Sequence, residues 1–334
     1  MSASRQYDDL TPQQVLDALD AVGLRGDGRI LQLNSFENRV FQVFLEDGSA
    51  VVAKFYRPGR WSDAQILEEH SFALELAQDE VPVVPPLVLA ATEGPAELKG
   101  TPPTLASVPG TYHRFSASAR CAGREPELEA EGTLRQLGRF IGRLHAVGSR
   151  RTFDVRHTIN PQADGLRARS LLLAGGFVPP DVQATWDAIT RAALAQVQLA
   201  FDALPGLKKL RLHGDCHLGN VLWRSGAPHV VDLDDACNGP AVQDLWMLVS
   251  GDAMTMARQL DVMLEGYAQF MDFDRRELAL IEPLRTLRMV RHSAWLAERW
   301  GDPAFPLAFP FFGASAYWSQ QITQMREQLE LMTP

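Results

Sequence analysis

The sequence predicts an α+β fold of two lobes around a cleft: a β-rich N-terminal lobe over residues 1–110 and a mostly helical C-terminal lobe over residues 111–334. Three observations predict it. Short apolar runs separated by turn residues crowd the first third of the chain, whereas from Glu125 onward apolar residues recur at helical spacing. At 334 residues the chain exceeds one typical domain. Residues of catalytic type fall in both halves, a lysine ending an apolar strand in the first and a dense Asp/His/Asn run in the second.

Thr11 is placed to cap a helix over residues 12–22, with Pro12 at its first position and Gly23 at its end. Residues 30–33, 40–45 and 51–56 read as strands, the first two joined by Asn34-Ser35-Phe36-Glu37-Asn38-Arg39 and the next pair by an Asp47-Gly48 turn. A helix over 62–78 follows, with Ile66, Phe72, Ala73 and Leu76 on one side. Past Pro82, Pro85 and Pro86 a strand-and-turn region runs to about Gly110, and residues 104–110 are placed as the hinge, a backbone edge for an adenine. In the second lobe Leu134, Leu137, Ile141 and Leu144 mark a helix, and residues 186–201, 241–249, 281–300 and 317–331 mark four more. Residues 221–223 and 229–231 read as paired strands about a Ser225-Gly226-Ala227-Pro228 turn.

An apolar share of 46% and a charged share of 22% are those of a globular protein, and a formal net charge of −9 argues against a nucleic-acid binder. No stretch of about 18 apolar residues is free of charge, so no transmembrane helix and no membrane partner is expected. Residues 1–9 lack the apolar core of a secretion signal. Cys121, Cys216 and Cys237 are too few and too scattered for a disulfide framework. The expectation is a cytoplasmic monomer.

The chemistry is concentrated in Leu212-His213-Gly214-Asp215-Cys216-His217-Leu218-Gly219-Asn220 and, shortly after, Val231-Asp232-Leu233-Asp234-Asp235. Asp215 and Asn220 stand at the Asp-x-x-x-x-Asn interval of a phosphoryl-transfer catalytic loop. Phosphoryl transfer needs positioning and charge neutralisation more than covalent help. A carboxylate must orient and finally take the proton of the attacking hydroxyl, and Asp215 is placed for that. Mg²⁺ prefers oxygen ligands and keeps several waters, so one amide oxygen (Asn220) and one carboxylate (Asp232) suffice. A hairpin between them would return both to one end.

On the nucleotide side, Val51-Val52-Ala53-Lys54 is close to the Val-Ala-Ile-Lys strand whose lysine holds the α- and β-phosphates of ATP. Lys54 needs an anionic partner, and the next helix offers Glu68 and Glu69. Helix phase selects Glu69, which shares a face with Phe72, Ala73 and Leu76, and leaves Glu68 to solvent. No Gly-x-Gly-x-x-Gly precedes Lys54. The turn 34–38 must cover the phosphates with backbone N–H groups and the Ser35 hydroxyl, with Asn38 a further candidate contact.

Asn34-Ser35-Phe36-Glu37-Asn38-Arg39-Val40, Lys54-Phe55-Tyr56-Arg57-Pro58, Ile66-Leu67-Glu68-Glu69-His70, Asn238-Gly239-Pro240-Ala241-Val242-Gln243-Asp244-Leu245-Trp246-Met247 and Asp302-Pro303-Ala304-Phe305-Pro306 resemble the bacterial stress response kinase A family. That family lies in the aminoglycoside phosphotransferase and choline-kinase-like superfamily, and the resemblance implies its protein-kinase-like fold. It also implies an ATP- and Mg²⁺-dependent serine/threonine protein kinase of the cytoplasm, linked to stress survival. By that resemblance Ser35 is an ATP-site residue, Asp215 the proton acceptor, and Asn220 and Asp232 the metal ligands. The residues alone reach a phosphotransferase; only the resemblance reaches protein substrates.

Alternatives stay open on the residues. A small-molecule kinase would use the same groups on an amino alcohol, sugar or aminoglycoside, and an acidic acceptor wall would favour a cationic acceptor. A nucleotide-binding scaffold without turnover is a second alternative. A metal-dependent phosphoesterase built on His213-Gly214-Asp215-Cys216-His217 is a third. Gly214 replaces the Arg of the His-Arg-Asp motif, and only eleven residues separate Asp232 from Asp244, so switching by activation-loop phosphorylation is not expected. Asp244 is read as a brace for the catalytic loop. Arg285, Arg288 and Arg291 recur every three residues, either as a salt-bridged face or as a reader of acidic substrate.

Overall fold

The computed structural model describes residues 10–90 and 103–333. Helix α1 (Pro12–Ala21) opens the chain, closed at its start by a reciprocal capping box between Thr11 and Gln14. Strands β1 (Gly26–Leu33), β2 (Arg39–Leu45) and β3 (Ala50–Phe55) form an antiparallel meander. Helix α2 (Asp63–Gln78) follows, capped in the same way by Ser62 and Gln65. Strands β4 (Ala106–Ser107) and β5 (Arg114–Ala119) complete a five-stranded sheet of order β1-β2-β3-β5-β4.

Period-two alternation positions the first functional residue. Val51, Ala53 and Phe55 of β3 turn into a core shared with Phe41, Val43 and Phe115, so Val52 and Lys54 turn the other way and line the cleft. Helix α2 straddles the lobes. Its Ile66 and Leu67 pack on Tyr56, while Phe72, Ala73 and Leu76 join the C-terminal lobe's core.

The chain leaves the sheet after β5, not at residues 104–110. That segment is the β4–β5 hairpin, with the Val108 N–H donating to His113 O at 3.0 Å, and none of it lines the cleft. The crossing is made by residues 120–124, where Ala119 and Cys121 line the cleft and Arg124 pairs with Trp223 of the other lobe. The N-terminal sheet therefore reaches Ala119, past the boundary drawn at Gly110. Two adjacent apolar-turn-apolar runs do not reveal in sequence which one exits the sheet.

The C-terminal lobe is built on α3 (Thr133–Gly148), α4 (Pro161–Ala174), α5 (Pro180–Asp202), α6 (Ala253–Tyr267), α7 (Ile281–Glu298), α8 (Ala304–Ala308) and α9 (Ser315–Met332). Helices α3 and α6 pack at backbone contact because Gly138 and Gly142 face Met263 and Tyr267; a Cβ at Gly142 would stand 2.7 Å from the Tyr267 carbonyl. Small strands carry the catalytic segments: β6 (Leu210–Leu212) pairs with β9 (Cys237–Gly239), and β7 (Val221–Arg224) with β8 (Ala227–Val230). The β7–β8 turn is the two-residue Ser225-Gly226, both at positive φ, shorter than the turn expected.

Residues 241–249 do not form a helix. They make two 3₁₀ turns, over Ala241–Asp244 and Trp246–Leu248. Tertiary partners take the groups a helix would use: the Val242 N–H donates to the Glu277 carboxylate at 2.9 Å, and Asp244 is committed to the catalytic loop. Helices α4 and α6 were not expected. Helix α4 carries charge on most faces and a mid-helix Gly165 that fits against Leu194, which hides its period. Helix α6 carried a readable signal, an Asp252 cap ahead of Leu260, Met263, Leu264 and Tyr267.

Candidate active site between the lobes

A cleft of about 1620 Å³ runs between the lobes and brings together all six residues expected to act: Ser35, Lys54, Glu69, Asp215, Asn220 and Asp232. The loop that carries Asp215 is held from behind by Asp244, which is fully buried. Its Oδ2 accepts the His213 N–H at 2.7 Å and its Oδ1 the Gly214 N–H at 2.9 Å, while His145 Nε2 lies 3.1 Å from Oδ2 and His145 Nδ1 3.0 Å from the Tyr267 hydroxyl. Gly214 stands at φ +86° with its α-carbon against the Asp235 carbonyl. This leaves no room for a side chain, so the arginine of His-Arg-Asp has no place here. Gly214→Ala should push the loop off Asp235 and lower turnover with little change in nucleotide affinity, measured as kcat against ATP KM.

Asp215 is partly buried. His217 accepts the Gly219 N–H on Nδ1 at 3.1 Å, so its Nε2 carries the proton, 3.5 Å from Asp215 Oδ2. Arg288 of α7 pairs with Asp215 Oδ1. Burial would raise the pKa of this carboxyl, but the His217 hydrogen bond and the Arg288 guanidinium outweigh it and hold Asp215 ionised well below the usual range. Because the base must be ionised, activity falls as pH drops through its pKa. Arg288→Ala raises that pKa, so the acidic limb of the kcat/KM profile should move to higher pH.

The β7–β8 hairpin returns Asn220 and Asp232 to one end of the cleft, fixed by the Val231 N–H donating to Asn220 O at 3.0 Å. Asn220 Nδ2 donates to the Asp215 carbonyl at 3.0 Å, which leaves Oδ1 unpaired among the described residues. Asp232 holds a left-handed backbone (φ 63°, ψ 65°), a strained state for a residue other than glycine, and its carboxylate is half exposed. Beside it, the buried Asp234 Oδ1 and Glu69 Oε2 have no hydrogen-bond partner among the described residues. An unpaired amide oxygen with carboxylates short of donors is a set of oxygens suited to a hard divalent cation. Among the described residues no three His, Cys, Asp or Glu side chains cluster to hold a metal. His213 is buried, with Nε2 on Val231 O at 3.0 Å, and so does not converge with Asp215 and His217 on an ion.

Lys54 departs from the expected pairing. Its Nζ lies 2.8 Å from Asp232 Oδ1 and 3.9 Å from Asp234 Oδ1, and makes no ion pair with Glu69 within 4.0 Å. Glu69 is on the buried face of α2, as helix phase requires, but its nearest ionisable partner is His70 Nε2 at 3.8 Å. Burial pushes its carboxyl up to about 7, against the pull of Lys54 and Arg156. Burial would likewise depress the Lys54 ammonium, yet Asp232 and Asp234 hold it well above its ordinary value. Glu68 is not left to solvent. Its carboxylate accepts the backbone N–H groups of Asp154, Val155 and Arg156 at 2.5, 3.0 and 2.8 Å, tying α2 to the other lobe.

The turn 34–38 is fixed by contacts that sequence reading missed. Asn38 is buried, donating to Asp234 Oδ2 at 3.1 Å and accepting the Arg57 N–H at 3.1 Å, so its side chain tethers the turn at the edge of the cleft. The Ser35 hydroxyl accepts the Asn38 N–H at 3.3 Å and lines the cleft. The Glu37 carboxylate accepts Trp295 Nε1 and Arg299 Nε, each at 2.6 Å, and Arg57 reaches Asp302 at 3.1 Å. Phe36 packs on Phe309. This clamp between the lobes holds the turn in place of a glycine-rich loop. Arg60 pairs with Asp234 and with Asp235 at 2.6 Å, a second cation that sequence reading did not select. Cys216 and Cys237 are buried, and burial raises both thiols, Cys237 to about 12, which disfavours the reactive thiolate.

Two lobes, a lysine from the sheet and an Asp/Asn/Asp set from the helical lobe define a phosphotransferase. The chain belongs to the phosphotransferase enzyme family, which it matches over residues 29–281. Within that family it is 41% identical, over 98% of its length and 94% of the relative's, to stress response kinase A of Escherichia coli strain K12. Identity and coverage are the same with serine/threonine protein kinase RdoA of Salmonella typhimurium. The fold is shared with amicoumacin kinase hAmiN, solved with AMP-PNP, Ca²⁺ and Ami (TM-score 0.71, 21% identity, covering 96% of this chain and 94% of that one). It is shared too with a microcompartment-associated aminopropanol kinase (TM-score 0.67, 17% identity, 96% of each chain). No helix among the described residues is long and apolar enough to cross a membrane.

Proposed function

We propose that this chain is an ATP- and Mg²⁺-dependent serine/threonine protein kinase of the stress response, acting as a cytoplasmic monomer on protein hydroxyls. The observation that carries the phosphotransfer is the convergence of Lys54, Asp215, Asn220 and Asp232 on one cleft; the serine/threonine acceptor is supported by the likeness to serine/threonine protein kinase RdoA. Asn220 Oδ1 and the Asp232 carboxylate would hold Mg²⁺, which would supply charge neutralisation at the phosphates. Lys54 holds the α- and β-phosphates, Glu69 sets the charge beside Lys54, and Ser35 with its turn covers the nucleotide. The acceptor oxygen attacks the γ-phosphorus as its bond to the β–γ bridging oxygen breaks and ADP leaves. Asp215 orients the hydroxyl and takes its proton. The full set of groups weighs against a scaffold without turnover, and the separation of His213 from His217 weighs against the phosphoesterase reading.

The test is transfer from γ-labelled ATP with Mg²⁺ to the protein itself, a generic protein, aminoglycosides and amino alcohols. Label on protein serine or threonine is expected. Label confined to small molecules would replace the substrate class and keep the active site.

A further inference from the structure

The acceptor side of the cleft is walled by α7, α4 and the catalytic loop, and its charges can be followed group by group. Arg167 of α4 is held by Glu298 of α7 at 3.1 Å. Asp164 is turned to His157 Nε2 at 2.9 Å and to the Asn160 N–H at 3.1 Å. His292 stands on α7, and partial desolvation together with the nearby Arg288 lowers its pKa, which disfavours a further cation there. Two guanidiniums remain. Arg288 is 44% exposed and has the catalytic Asp215 as its carboxylate partner. Arg291 is exposed, lines the cleft, and makes no direct ion pair or hydrogen bond among the described residues; its charge is felt by Asp164, whose carboxylate is already bonded to His157 and the Asn160 N–H. The two stand at i and i+3 of α7 and share one face. Arg285, one turn earlier, is turned away, paired with Glu282 at 3.0 Å and stacked on Trp246.

Arg288 occupies one oxygen of the catalytic base, so a substrate hydroxyl reaching Asp215 comes to lie beside its guanidinium. An acceptor bearing its own cation would face two arginines and offer neither a partner. An acceptor with a carboxylate beside its hydroxyl offers Arg288 a second anion and Arg291 a direct partner, in the planar two-pronged geometry that arginine prefers.

We propose that Arg288 and Arg291 form an anion-reading subsite beside the catalytic base, and that the substrate is an acidic protein segment with a carboxylate-bearing residue next to the phosphorylated serine or threonine. The subsite deepens the protein-kinase reading and rests on it for the nature of the acceptor. It makes Arg291 a specificity residue and Arg288 a positioning residue that acts through Asp215.

The test separates binding from turnover. Two fluorescent peptides, each with alanine at the acceptor position and flanked by Asp/Glu in one and Lys in the other, are titrated by anisotropy into the full chain with Mg²⁺ and AMP-PNP. The acidic peptide is expected to bind about tenfold more tightly, and the margin should shrink with added salt. Arg291→Glu should invert the order, and Arg291→Lys should retain it. Equal binding, tighter binding of the Lys peptide, or an order unchanged in Arg291→Glu would overturn the subsite. Serine versions of both peptides, together with anionic and cationic small hydroxyl compounds, are then offered with labelled ATP. Label on small compounds alone would remove the protein substrate and leave the subsite to be judged by whether the anionic compounds outcompete the cationic ones.

Discussion

Asp215→Ala is expected to lower kcat by about 10²–10⁴-fold while leaving the affinity for ATP nearly unchanged. The base touches the acceptor, not the nucleotide: its carboxylate contacts are His217 and Arg288, Lys54 and Asp232 hold each other, and Asn220 is held by the Asp215 backbone carbonyl, which alanine keeps. Removal also frees Arg288, so the binding of an acidic acceptor should survive or strengthen as turnover disappears. Single-turnover transfer from labelled ATP, with nucleotide affinity measured separately by AMP-PNP titration, checks both halves. Loss of ATP affinity equal to the loss of kcat would show that the residue acts through folding and not through proton transfer.

Asp244→Ala should be the most damaging single change to stability in the C-terminal lobe, on the order of 3–5 kcal/mol. The carboxylate is fully buried and satisfies the His213 and Gly214 N–H groups and His145 at once. Alanine would orphan all three, with His213 and His145 fully buried. Asp244→Asn keeps an acceptor oxygen and should fall between. Denaturant unfolding gives the loss in stability. An Asp244→Ala protein as stable as the parent would mean that the catalytic loop is braced by something other than this carboxylate.

Much of this molecule was legible in the sequence, for reasons that differ from element to element. The Thr11 and Ser62 starts were readable because their capping groups lie within three residues. The catalytic run was readable because the spacing from Asp215 to Asn220 and on to Asp232 is set by a short hairpin, again a local device. Long-range partners were not readable. Lys54 meets Asp232, 178 positions away, where only the glutamates of the next helix suggested themselves. Glu68 reads as a solvated residue until loop 154–156 folds onto it. The 34–38 turn has no glycine-rich signature because Trp295, Arg299 and Asp302 hold it from the other lobe. Residues 241–249 carry an apolar period that tertiary hydrogen bonds override. The Arg288/Arg291 spacing was visible, but its meaning depends on Asp215 lying opposite.

The measurement closest to the central claim is the structure of the chain with Mg²⁺ and AMP-PNP. A cation is expected on Asn220 Oδ1 and the Asp232 carboxylate, with Lys54 drawn from Asp232 to the phosphates and Ser35 against the nucleotide. A cation held by His217 and Asp215, or a nucleotide bound with Lys54 still paired to Asp232, would contradict that claim.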